Sequence, residues 1–75
     1  MSPSVLLRNH IRRLRFEKNM TQEELALRTG VSRQTIMSIE RGQTTPSVLL
    51  AFKIASALGV NVHDVFAMEG KLAPV

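Results

Sequence analysis

Arg33, Gln34, Ser38 and Arg41 put two guanidinium groups, a primary amide and a hydroxyl within nine residues of each other. An arginine can bridge O6 and N7 of guanine, and a glutamine can bridge N6 and N7 of adenine. Helical periodicity turns Val31, Ile36 and Ile39 inward and leaves Arg33, Gln34, Met37, Ser38 and Arg41 outward. A helix face of this composition is suited to hydrogen-bonding base edges and phosphates. Catalysis finds no such cluster. His10 and His63 are far apart, the chain has no cysteine and no HExxH, and Glu17, Glu23, Glu24, Glu40 and Asp64 read as caps, pairs or solvated surface. Two histidines and a carboxylate would hold zinc only if the fold brought them together. The sequence therefore predicts no enzyme, no metal site and no cofactor.

The outward face needs a helix, and the stretch Thr21 to Gly42 (TQEELALRTGVSRQTIMSIERG) supplies two capped starts and a turn. Thr21 and Glu24 have the spacing of a capping box, with Leu25 and Ala26 on the buried side of the helix that follows. Gly30 stands where that helix must stop in a left-handed conformation, and Ser32 caps the next one. The pattern is a helix-turn-helix.

Size and charge are consistent with this. A chain of 75 residues is one small domain that buries only about 60% of its unfolded surface. Ten Lys and Arg against six Asp and Glu give a net charge of +4, which favours a polyanionic partner. No apolar run approaches the ~20 residues needed to cross a bilayer, and residues 1 to 20 lack a continuous signal-peptide core, so the expectation is a cytoplasmic protein. The chain's three aromatic residues, Phe16, Phe52 and Phe66, lie outside the basic segment, which disfavours a single-stranded RNA binder.

In order along the chain, Met1 to Ser4 should be a loose end with Ser4 as a cap. Helix one is predicted from Val5 to about Lys18, with Leu7, Ile11 and Leu14 as its apolar stripe and Arg8, Arg12 and Lys18 largely off it. This basic face is free to touch phosphate; a membrane-surface or targeting role is disfavoured by Glu17 and by the immediate continuation into a domain. Asn19 and Met20 form the joint to the second helix. After Gly42, Thr45 is predicted to cap a fourth helix with Pro46 at its first position, Leu50, Ala51, Ile54, Ala55 and Leu58 lining its inner face. Asn61 to Phe66 reads as a short fifth helix, and AMEGKLAPV as a frayed tail. The expected fold class is all-α, five helices around one core with no strand.

Thr21 to Phe66 resembles the Cro and phage-repressor type of helix-turn-helix domain, the xenobiotic-response-element family. The likeness is carried by TQEELA at Thr21 to Ala26, VSRQTI at Val31 to Ile36, IERG at Ile39 to Gly42 and PSVLLAFKIASALGV at Pro46 to Val60; with IRRLRFEKNM it covers roughly residues 9 to 66. It implies a compact lambda-repressor-like domain over residues 9–66, an N-terminal extension at 1–8 and a C-terminal tail at 67–75. It further implies a short stand-alone prokaryotic transcriptional regulator. On this likeness residues 32–41 form the recognition helix, with Arg33, Gln34 and Ser38 facing the bases of double-stranded DNA and Ser32, at the helix start, among the DNA-binding residues. Gln22, Thr35 and Arg41 contact the DNA backbone, and Thr44 follows them in the loop. Arg15 and Glu40 match a structural salt bridge joining helix one to the recognition helix.

Leu49 departs from the family pattern, where a polar residue is common. With Phe52 at i+3 it suggests an apolar patch on helix four and a two-fold dimer contact. The functional expectation is a homodimeric regulator, in its simplest form a repressor, on an operator with two-fold symmetry. The alternative is an antitoxin or another partner-dependent regulator using the same domain; a tail of about nine residues is short for wrapping a toxin.

Overall fold

The computed structural model describes residues 5–72, so the predicted loose end at Met1 to Ser4 and the Ser4 cap lie outside the described residues. In chain order the elements are β1 (Val5–Asn9), α1 (Ile11–Glu17), α2 (Gln22–Thr29), α3 (Arg33–Glu40), α4 (Val48–Leu58), α5 (Val62–Val65) and β2 (Phe66–Gly70). Five helices surround one core. Ile11, Leu25, Ile36, Ile39, Ile54, Leu58 and Val65 are its fully buried side chains, drawn from every helix.

Local chemistry sets the helix-turn-helix. Thr21 Oγ1 accepts from Glu24 N at 3.0 Å, and Glu24 Oε1 accepts from Thr21 N at 3.4 Å, so two donors at the start of α2 are satisfied reciprocally. Gly30 closes α2 with φ +73°, and its N–H donates to Ala26 O. Ser32 Oγ accepts from Thr35 N at 3.1 Å and starts α3. Between α1 and α2, Asn19 takes the turn with φ +53°, a conformation asparagine adopts more readily than most residues.

The all-α expectation is corrected by a two-stranded antiparallel sheet. Helix one starts at Ile11, not Val5, and β2 takes Phe66 from the predicted fifth helix and Ala67 to Gly70 from the predicted frayed tail. β1 pairs with β2 in the register Val5 to Gly70, Leu7 to Met68 and Asn9 to Phe66. Two contacts decide the boundary. Asn9 Oδ1 accepts from Ile11 N at 3.3 Å, and His10 N donates to Val65 O at 2.8 Å, anchoring the strand root to the end of α5. Ile11 and Leu14 of the predicted stripe do enter the core, whereas Leu7 lies on the ribbon and is 44% exposed.

Alternation gives this ribbon two faces. Val5, Leu7 and Asn9 share one with Phe66, Met68 and Gly70; Leu6 and Arg8 share the other with Ala67 and Glu69. Arg8 and Glu69 form an exposed ion pair on that second face. Its hydrogen bond and charge hold the Glu69 carboxyl below the usual carboxylate range.

A second correction concerns α4. Its cap is Ser47, whose Oγ accepts from Leu50 N at 3.0 Å, so neither Thr45 nor Pro46 occupies the predicted position. Ser47 stands three residues before the donor it satisfies, the spacing a hydroxyl cap requires. Among the described residues, no helix is long and apolar enough to cross a membrane.

Candidate nucleic-acid interface

α3 presents its side chains according to the core behind it. Ile36 and Ile39 are buried, which turns Arg33 and Gln34 into solvent and leaves Thr35, Met37 and Ser38 half-buried along the flank. Ser32, Arg41 and Thr44 are exposed around this face. The first two are placed by the ends of α3. Ser32 is its cap, with Oγ also 3.0 Å from Thr35 Oγ1, and Arg41 follows its last turn. Thr44 lies in the loop to α4.

Gln22, at the first position of α2, belongs to a chain of side-chain hydrogen bonds. Its Nε2 donates to Glu40 Oε2 at 2.9 Å, and its Oε1 accepts from Arg33 Nε at 3.4 Å. Glu40 is also the partner of Arg15, which donates from Nε to Oε1 at 2.6 Å and from Nη2 to Oε2 at 3.4 Å. Arg15 Nη1 donates in addition to Met20 O at 3.0 Å. The side chains of Arg15 and Glu40 are each only 8% exposed. One carboxylate thus joins α1, α2 and α3, and its charge is satisfied before it reaches the surface. The resemblance assigns Gln22 a place at the DNA backbone and gives no sign that its amide bridges a buried carboxylate and a surface arginine.

In front of this chain lies an open cleft of about 840 Å³ between α1, the start of α2 and α3. Arg12, Arg33 and Arg41 line it together with Thr21 and Gln22. Arg12 sits over the exposed Phe16 ring, 5.5 Å from its centroid, an arrangement that holds the guanidinium by cation–π attraction. The start of α2 adds backbone N–H groups and the positive end of the helix dipole. Three cationic side chains and one carboxylate, Glu23, surround this helix start and leave a net-positive concave surface beside the helix face that carries Arg33, Gln34 and Ser38. The sequence supplied Arg12 only as part of a basic face; its place in the cleft follows from the angle between α1 and α2.

Leu49 and Phe52 lie away from this cleft on α4 and are 65% and 57% exposed; Val48 beside them is 75% exposed. His10 is half-buried at the start of α1 and His63 is exposed on α5. No group of three or more His, Asp or Glu side chains is gathered for a metal ion among the described residues.

Comparison with known proteins agrees with this architecture. The helix-turn-helix family model HTH_3 matches residues 11–65. An uncharacterized HTH-type transcriptional regulator of Methanocaldococcus jannaschii is 49% identical over 63 residues, covering 84% of this chain and 96% of the relative. The crystal structure of the restriction-modification controller protein C.AhdI from Aeromonas hydrophila superposes with a TM-score of 0.69 at 35% identity, over 72% of this chain and 82% of that one. That of a putative DNA-binding protein from Bacteroides fragilis gives a TM-score of 0.76 at 27% identity, over 83% of this chain and all of the other. The chain belongs to the HTH_3 helix-turn-helix family, a family of DNA-binding transcriptional regulators.

Proposed function

We propose that this protein is a sequence-specific double-stranded DNA-binding regulator that acts in the cytoplasm as a homodimer and represses the promoter it occupies. The observation that carries the reading is the division of α3, with Ile36 and Ile39 in the core and Arg33 and Gln34 on the opposite, solvent side. α3 enters the major groove, where Arg33, Gln34 and Ser38 meet base edges and Ser32 lies at the helix start. Thr35, Arg41, Thr44 and Gln22 flank these residues as contacts to the phosphates. Two copies place their recognition helices about 34–36 Å apart, matching adjacent major-groove half-sites on one face of the duplex. Leu49 and Phe52, both exposed on α4, are proposed as part of the dimer contact.

The test is selection of genomic fragments by the purified protein at about physiological salt, followed by competition of the best fragment against random duplex. Specific sites typically bind about 10³ to 10⁷ times more tightly than random DNA. Recovery of a short inverted repeat supports the reading. Recovery of nothing above random DNA overturns independent operator recognition and turns the assignment to a regulator that needs a protein partner.

A further inference from the structure

We infer that the apolar face of the β1–β2 ribbon is a contact surface for a second copy of this chain. The inference rests on the homodimer proposed above and assigns that dimer a surface the helix-turn-helix does not contain. At its root the face is covered, with Phe66 8% exposed and Asn9 bound to the end of α3. Further out, Leu7 is 44% and Met68 61% exposed on the same face, with no charge beside them, while Leu6, 62% exposed, stands with Arg8 and Glu69 on the other. A two-stranded ribbon alone is marginal in water, and large apolar side chains left out together on one are covered by a partner in the functional state.

Charge decides which partner. The ribbon's charged side chains, Arg8 and Glu69, lie on the opposite face and neutralise each other. The apolar face thus offers no cation to a phosphate and no charge to a charged peptide. Its complement is another apolar face, and a two-fold axis presents each chain with the same one.

Area argues for how far the contact extends. Two strands of five residues cover roughly 17 Å by 10 Å. That is well below the about 800 Å² per partner that a standard stable interface buries. The adjoining surface is a groove of about 190 Å³, with Val5 and Leu7 on one side and Thr44, Thr45 and Pro46 on the other. Pro46 leads directly into the exposed Val48 and Leu49. The proposed contact therefore extends from the ribbon through this groove to the start of α4.

The experiment is sedimentation equilibrium of the full chain without DNA, comparing wild type with Met68→Glu, Met68→Leu, Ala67→Glu and Leu49→Glu. Helical circular dichroism and thermal unfolding serve as checks on the fold. Wild type is expected to be dimeric. Met68→Glu should weaken the dimer at least tenfold, while Met68→Leu and Ala67→Glu, the latter on the opposite face of the same strand, should leave it intact. A dimer unchanged by Met68→Glu overturns the inference and, if Leu49→Glu dissociates it, leaves the α4 contact standing. Equal weakening by Ala67→Glu also overturns it, because that result reports strand disruption and not loss of one face. A wild-type chain that stays monomeric overturns both dimer readings, and its DNA selection then tests the recognition helix separately.

Discussion

Arg15 Nε donates to Glu40 Oε1 at 2.6 Å, with both side chains almost wholly withdrawn from water. Removing one partner strands the other charge in a poorly solvated place, a change that typically costs about 3–5 kcal/mol. Arg15→Ala and Glu40→Ala should each lower stability by about that much in urea titrations. Replacing both residues by apolar ones of similar volume should recover most of the loss. A single variant with unchanged stability would show that the pair is solvated in the native ensemble. Loss of DNA affinity in Arg15→Ala is therefore expected through folding, without any contact between Arg15 and DNA.

Arg33 and Gln22 separate by readout although they touch. Arg33→Ala should reduce affinity for the selected operator by about 1–3 kcal/mol and flatten preference at one base pair, because it removes a base-edge donor pair. Gln22→Ala should weaken binding to all duplexes alike. Binding titrations against a set of single-base operator variants check both. An unchanged base preference in Arg33→Ala would count against its placement in the groove.

The capping of α4 gives a paired prediction. Ser47→Ala removes the acceptor for Leu50 N and should cost about 1 kcal/mol. Thr45→Ala, two residues earlier, should change stability by no more than about 0.5 kcal/mol, the range of ordinary surface substitutions. Chemical denaturation of the two variants side by side distinguishes the caps, and the opposite ranking would return the helix start to Thr45.

Asn9 is the polar link between the ribbon and α3. Its Nδ2 lies 3.0 Å from Ile39 O and 3.4 Å from Glu40 O, and its Oδ1 accepts from Ile11 N. Asn9→Ala should cost about 1 kcal/mol: Ile39 O keeps the Gly42 N–H, while Glu40 O loses the Asn9 amide and Ile11 N loses its side-chain acceptor. Amide exchange should quicken in β1 and in the last turn of α3 together. Quickening in β1 alone would show that the link carries no load.

The helix-turn-helix was legible because its signals are local. Thr21 with Glu24, Gly30 after Thr29, and Ser32 before Arg33 each act within three residues, and each is seen in the structure. The strands were not legible for the opposite reason. Val5 to Asn9 finds its partners 57 to 65 residues away, as the register from Asn9–Phe66 to Val5–Gly70 shows. Leu7, Ile11 and Leu14 happen to match a helical stripe, and pairing across the chain overrides that local preference. Ser47 was passed over because Thr45 and Pro46 together form a familiar start signal. In the candidate interface, the outward direction of Arg33 and Gln34 could be read from periodicity. The bond from Gln22 to Glu40 could not, because it depends on the angle between two helices.

The link through Asn9 also bears on how such a molecule evolves. Because one amide holds the root of the ribbon against the closing carbonyls of α3, a displacement of the ribbon bears directly on the end of that helix. In the proposed dimer, a partner that grips the ribbon would set the pitch of that helix. On the proposed reading, substitutions in Val5 to Arg8 or Ala67 to Gly70 would be a route to a new half-site spacing that leaves Arg33, Gln34 and Ser38 as they were.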